Sequence, residues 1–482
     1  MSRRPYTPRP YQRLMVDHIL EHPRCAIWAG MGLGKTSGVL TALSHLGMTE
    51  DVFPALVIGP LRVAREVWST EAERWDCFKD LPVVPIVGTP QERLRAVKCR
   101  APIFTTNYEQ LGWLVEHWGE DRWPYKTVIA DEATRLKNYR GSYRTSSTGK
   151  VFLQGAGGVR ARALGKVAHS KVKRFIELTG TPASNGLEDL WGACWYLDAG
   201  TRLGRTYEGF KQRFFRPKYN GFGVEILQGA DKEIHARLKD ICLTIDAADY
   251  FDIREPIVTD LFVDIPPVAR KHYKEMEKEM FAQLSSGDTI EAFGAAAKTS
   301  KCLQLASGSV YVDATATSDS HPKAKQWRAV HDAKLEALES VIEEANGAAV
   351  LVAYEFRSDL SRILKAHPKA VDLGTADGMR KFKAGESAIG VGHPASIGHG
   401  VDGLQLVCNI AVFYGHNWSL ELYDQLLGRI GPVRQLQAGF NRPVFVHNIL
   451  ARDTIDELVV ERRASKRDVQ DILLDAMKRR KQ

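Results

Sequence analysis

Ala29-Gly30-Met31-Gly32-Leu33-Gly34-Lys35-Thr36 follows the short apolar run 26–28 and leads into residues able to start a helix. Strand, glycine loop and helix, in that order, form the setting a phosphate-cradling loop requires. Gly30, Gly32 and Gly34 let main-chain N–H groups close around phosphate oxygens, with Met31 and Leu33 completing the loop. Lys35 brings positive charge to the outer phosphates, and Thr36 offers a hydroxyl to magnesium. The general pattern has a glycine where this chain has Ala29.

A second stretch, Ile129-Ala130-Asp131-Glu132-Ala133-Thr134, ends another apolar run. An Asp at a strand's C-terminal tip can hold magnesium, and the adjacent Glu can orient and deprotonate the attacking water. Alone, an Asp-Glu pair is a solvated turn. Placed about one hundred residues after the glycine loop, with a strand leading into it, the pair reads as the second half of a nucleotide-hydrolysing site. Thr148-Gly149-Lys150 and Gly165-Lys166 resemble phosphate-loop fragments, but Val151 and Val167 replace the hydroxyl and no strand precedes either. Asp246, Asp249, Asp252 and Glu255 read as a solvated acidic turn rather than a metal site.

Outward from these motifs, short β-branched runs recur at 26–28, 55–58, 103–105, 127–130 and 175–178, and again at 349–353, 388–391, 410–413 and 444–446, separated by helix-like text. This alternation predicts an α/β fold with parallel sheets. Between the two series helical patterns dominate, as at 269–284 and 288–306. The expected domains are a first lobe over 1–198, a mainly helical insertion over 199–333, and a second lobe over 334–482 that ends in a brace helix.

The chain has 482 residues, 66 Lys plus Arg against 58 Asp plus Glu, 44% apolar and 26% charged residues. Such a composition excludes a disordered polymer, a collagen and a small disulfide scaffold. Seven cysteines without a C-x-x-C pair point to a reducing cytosol. No apolar stretch reaches the roughly 18 residues a membrane span needs, so a cytoplasmic protein is expected.

Further signals arrive in a known order, and the chain resembles the superfamily-two helicases, most closely the Swi/Snf-type DNA-translocating ATPases, whose P-loops tolerate the change at Ala29. Arg9-Pro10-Tyr11-Gln12 looks like the adenine-reading Q motif. Ile58-Gly59-Pro60-Leu61-Arg62, continuing to Trp68 and Trp75, is similar to motif Ia, and Thr105-Thr106-Asn107-Tyr108 to motif Ib. Asp131 to Asn138 matches motif II with its tail. Leu178-Thr179-Gly180-Thr181-Pro182 resembles motif III, the element that couples nucleotide to nucleic acid, and the match runs on from Asn185 to Trp191. There Leu187, Leu190, Trp191, Cys194 and Trp195 recur at helical spacing, more as core than as ligand contacts, with Asn185 and Glu188 as cap. Ser396 to Leu404 resembles motif V, with Gly400 near a phosphate backbone and Asp402 facing the ribose. Tyr423 to Gln435 resembles motif VI, with Gln425 and Arg429 on one helical face. The usual second arginine position holds Pro432, so Arg434 is expected to reach the γ-phosphate from a loop, with Arg429 as the other candidate finger. The wording of motif VI and of 58–66 is similar to bacteriophage members.

The resemblance implies two RecA-like lobes, ATP and Mg2+ as cofactors, and double-stranded DNA as the partner, bound with little sequence preference by a monomer. Lys35, Asp131, Glu132, Arg429 and Arg434 would be catalytic. Arg62, Thr106, Asn107 and Gly400 would meet DNA. Alternatives from the same residues are an RNA or single-strand helicase, a restriction-system motor, and a DNA-binding scaffold with a degenerate ATPase. Thr454-Ile455-Asp456-Glu457 has capping-box spacing.

Charge is unevenly placed. Residues 133–176 carry eleven bases and no acid, while the rest of the chain has 55 bases against 58 acids. This stretch reads as a loop longer than the family's usual connection, and Arg160, Arg162 and Lys166 are expected to contact DNA phosphates.

Overall fold

A computed structural model describes residues 3–146, 148, 151–183, 186–217, 224–284, 299–312, 326–398 and 400–477, with side chains described outside 279–284 and 468–477. Lys150, Asn185, His399 and residues 288–298 of the expected helix 288–306 lie outside the described residues. The chain divides into two compact units, Met1–Asp252 with Lys466–Gln482, and Ile253–Ser465.

Unit 1 is built on a seven-stranded parallel sheet ordered Cys242–Ile245, Arg24–Ala29, Arg174–Thr179, Thr127–Asp131, Ala55–Gly59, Ile103–Asn107, Val83–Pro85. The four central strands are buried along nearly their whole length. That explains why they read as continuous apolar runs rather than alternating ones. In unit 2 six parallel strands run Ile257–Val263, Phe445–Ala451, Cys408–Phe413, Ala349–Ala353, Ile389–Gly392, Val371–Asp372. In both units the loops that carry chemistry emerge at the C-terminal strand ends, where open α/β sheets bind ligands.

The boundaries differ from the expected 199–333 insertion. Residues up to Asp252 join unit 1, where Cys242–Ile245 is an edge strand, and Ile253 onward joins unit 2, where Ile257–Val263 is another. Helix Pro267–Leu284 lies where helical text predicts one.

Residues 133–176 are not a plain loop either. After a 3-10 turn at Ala133–Leu136, Ser142–Thr145 and Val151–Gln154 pair as an antiparallel hairpin, and Val159–Ala168 is a helix. Ala161, Leu164, Val167 and Ala168 are fully buried at the i, i+3, i+4 spacing of a core-facing stripe.

Candidate nucleotide site

Gly32 and Gly34 have φ of 82° and 67°, a left-handed region that glycine enters without strain. Helix Lys35–Thr49 then begins with no side-chain cap, which leaves its first N–H groups pointing into the loop. The Lys35 ammonium donates to the Ala29 and Gly30 carbonyls at 2.7 and 3.2 Å. Gln12, also buried, reaches the loop from helix Pro10–Glu21. Its Nε2 donates to Gly34 O at 3.2 Å and Ser37 Oγ at 3.1 Å, and its Oε1 accepts from Arg9 N. The amide therefore braces the glycine loop against helix Pro10–Glu21.

Two strands over, Asp131 closes Thr127–Asp131 and Glu132 takes the left-handed conformation at φ 58°, rare for a residue with a Cβ. Two side chains hold this turn. The Trp68 indole Nε1 donates to Asp131 Oδ2 at 2.9 Å, and the Tyr108 hydroxyl is shared between the carbonyls of Asp131 at 2.9 Å and Glu132 at 3.2 Å. Burial, with Asp131 and Glu132 adding, pushes the Tyr108 hydroxyl well above its ordinary pKa, so it stays a donor. The motif readings identified the segments containing Trp68 and Tyr108, but nothing in the sequence paired either with residue 131.

Gly180 packs on the start of the phosphate loop. A Cβ there would lie 3.4 Å from Ala29 O. Thr179 Oγ1 accepts from Thr181 N at 3.0 Å, while Thr181 Oγ1 is buried without a partner, an acceptor and donor left for a ligand. The charge and donor set fits magnesium nucleotide. Thr36 and Asp131 would hold the metal, which neutralises phosphate charge when bound, and the loop N–H groups with Lys35 would take the phosphates.

Glu177 was not anticipated. It is buried on strand Arg174–Thr179 beside Ala26 and Ala130, and burial, with Asp198 adding, raises its carboxyl pKa strongly. Because the folded pKa lies above the unfolded value of about 4.3, this group's contribution is fully present below that pH. It is lost as pH rises through the folded pKa. Glu177→Gln is thus expected to raise the melting temperature at pH 8 relative to wild type and to change little at pH 4, as read by calorimetry.

In unit 2, Arg429 lies on helix Leu420–Ile430 and donates to the carbonyls of Gly398 and Val401, holding the motif V loop. Gln425 packs on the same loop with its Oε1 buried and unpartnered. Gly400 has φ 65°. The expectation that Arg434 sits on a loop is corrected. Pro432 starts a second helix, Pro432–Gln437, because its missing N–H and fixed φ suit a first helical position. From that helix Arg434 pairs with Asp402 at 3.3 Å.

Two DNA-contact expectations change. Thr106 is fully buried and its hydroxyl donates to Ile86 O, so its side chain cannot meet a polymer. Asn107 is buried too, with Nδ2 on Glu109 at 2.8 Å. Arg62 is partly exposed beside Glu66. The acid-free segment finds its counter-charges in space. Arg135 and Arg160 face Glu109, Lys137 faces Asp189, Lys166 faces Glu120, Lys171 faces Asp121, Lys173 faces Asp51 and Arg174 faces Glu50. At the acidic turn, Asp246 accepts from Ala248 N as a cap. Among the described residues no helix is long and apolar enough to cross a membrane.

The model of the SNF2-related domain matches residues 15–151. Protein p41 of Acyrthosiphon pisum secondary endosymbiont phage 1 is 47% identical over 98% of this chain and 99% of its own length. The chain belongs to the SNF2 family of helicase-like ATPases. An ATP-dependent helicase of Mycoplasma pneumoniae is 24% identical over 91% of this SNF2-family chain, which spans 39% of that relative. The solved Sulfolobus solfataricus SWI2/SNF2 ATPase core in complex with dsDNA is 22% identical, covering 98% of this chain and 93% of its own at a TM-score of 0.42.

Proposed function

We propose that this SNF2-family protein is a DNA-stimulated ATPase that uses Mg-ATP hydrolysis to move along double-stranded DNA. The observation that carries the reading is the convergence of three loops at the ends of adjacent strands. The Lys35 loop, the Asp131–Glu132 turn and the Thr179–Thr181 loop leave the C-terminal ends of three neighbouring interior strands, an arrangement that supports phosphate binding, general base and coupling element acting together. Lys35 and the loop N–H groups bind the phosphates, Glu132 takes the proton of the attacking water, and an arginine of unit 2 serves as the finger.

We assign the finger to Arg434. Arg429 spends its guanidinium on two main-chain carbonyls, whereas Arg434 holds only an exposed carboxylate, a contact a phosphate can replace. Arg434→Ala is expected to lower the stimulated rate by about 10³-fold or more with an unchanged melting temperature. Arg429→Ala is expected to lower both. Undiminished turnover in Arg434→Ala would refute the assignment.

ATPase rates with double-stranded DNA, single-stranded DNA and RNA test the substrate class. Duplex is expected to stimulate most. Preference for RNA or single strands would transfer the reading to a helicase of those, and no stimulation by any polymer would remove the translocase reading. For the basic segment, exposed ion pairs such as Arg160 with Glu109 are worth at most about 1 kcal/mol, so phosphates can take their place. Neutralising Arg160, Arg162 and Lys166 together should flatten the salt dependence of DNA binding by roughly one unit of slope for each phosphate no longer neutralised. An unchanged slope would leave these residues as surface ion pairs only.

A further inference from the structure

The Asp131–Glu132 turn is held by the two segments that resemble motifs Ia and Ib, and it is held by side chains rather than by packing alone. Tyr108 directly follows Asn107, the last residue of strand Ile103–Asn107, and is fully buried. Trp68, also fully buried, follows the single π-turn Val63–Val67 in the helical stretch that begins beside Arg62. The two segments are joined to each other, since the Thr105 hydroxyl donates to Ala64 O. There is little slack between them and the acid. A Cβ on Gly59 would lie 3.2 Å from Val63 Cγ1 and 3.6 Å from Asp131 Cβ.

We propose that Tyr108 and Trp68 are positioning residues forming a second coupling route, separate from the Thr179–Thr181 loop, by which nucleic acid engaged at Arg62 of the Ia segment, to which the buried Ib segment is tied, sets the geometry of Asp131 and Glu132. The proposal rests on the DNA-stimulated ATPase reading. Tyr108 acts on the main chain. By holding two successive carbonyls, it fixes the peptide between Asp131 and Glu132, and so the left-handed conformation that aims the Glu132 carboxylate. Trp68 acts on the side chain. A carboxylate offers about four lone-pair directions, and the indole occupies one on Oδ2, which orients the remainder for metal. Outer donors of this kind orient a ligand without touching the reacting atoms. A shift of the joined Ia and Ib segments when phosphates engage Arg62 is transmitted through two rigid aromatic rings. The hydroxyl and the indole N–H are the only polar atoms those side chains possess.

Two conservative variants, Tyr108→Phe and Trp68→Phe, keep an aromatic ring in each buried position. The equilibrium affinity for a fluorescent Mg-ADP analogue is measured with and without a random-sequence duplex, and again across a magnesium titration, alongside DNA affinity and melting temperature. In Tyr108→Phe the factor by which duplex changes nucleotide affinity is expected to fall by about fivefold or more, with DNA affinity itself within about twofold of wild type. In Trp68→Phe the magnesium concentration for half-maximal nucleotide binding is expected to rise by about tenfold. An unchanged coupling factor in Tyr108→Phe overturns its role. So does a proportional fall in nucleotide affinity with and without duplex, which marks a structural residue only. An unchanged magnesium titration overturns the role of Trp68. If duplex changes neither nucleotide affinity nor turnover in the wild-type protein, the translocase reading fails and the Tyr108 route with it. The magnesium titration of Trp68→Phe then still decides whether the indole positions Asp131.

Discussion

Lys35→Ala is expected to lower ATP turnover by about 10² to 10³-fold, the cost of removing one preorganised charge aimed at developing negative charge. The ammonium already stands at the loop's start, 2.7 Å from Ala29 O, and no other side chain of the loop carries positive charge. Glu132→Gln should lose turnover comparably while retaining nucleotide binding, because the amide keeps the shape of the side chain and removes only the base. Single-turnover hydrolysis and equilibrium nucleotide binding, measured together, separate the two. Equal turnover in wild type and Lys35→Ala would remove the phosphate-loop assignment, and loss of binding in Glu132→Gln would remove the base assignment.

The second large effect lies in the interior of unit 2. Lys334 and Asp456 are both fully buried and meet at 2.6 Å, with Lys334 also donating to Tyr414 O and Asp456 accepting from Ala451 N. Lys334 lies in the first turn of helix Ala333–Glu344, and Asp456 in the first turn of the helix that begins at Ile455. Removing one partner strands the other charge in a dry interior. Lys334→Ala is therefore expected to destabilise unit 2 by about 3 to 5 kcal/mol. The apolar double variant Lys334→Met with Asp456→Leu should recover most of that loss, since it leaves no charge to desolvate. Urea unfolding of the whole chain, following the transition of unit 2, reads both. A loss below about 1 kcal/mol in Lys334→Ala would place the pair among solvated ion pairs. Neighbouring Asp359 belongs to the same environment. Burial raises its carboxyl to about 7, against the pull of Lys334 and Arg362.

Much of unit 1 was legible because its evidence is local. The central strands are apolar along their length, and the Lys35 loop and Asp131 turn follow them within a residue or two. The helix carrying Leu190, Trp191, Cys194 and Trp195 was legible too, and those side chains are core as the helical spacing predicts. At Thr454 the capping-box spacing misled in detail. Its hydroxyl accepts from Asp456 N, while the Glu457 carboxylate takes Asp453 N. Pro432 misled for a related reason. A proline that ends one helix also suits the first turn of the next, and only the path of the chain after it distinguishes the two outcomes.

By itself, the sequence determined the α/β class, the strand–glycine loop–helix order at Ala29–Thr36, the adjacent acids Asp131 and Glu132 at a strand end, and the order of motifs that places the chain among SNF2-family proteins. Each of these depends on residues adjacent along the chain. Tertiary structure alone decided what depends on partners distant in sequence. It buried Thr106 beneath Ile86, gave Asp131 a donor from Trp68 and a brace from Tyr108, and paired Lys334 with Asp456. It also set acids from elsewhere beside seven bases of the acid-free segment, among them Glu109, Glu120 and Asp51. Charge is counted along a chain but felt through space, so a run of eleven bases became a largely compensated surface once the chain had folded around it.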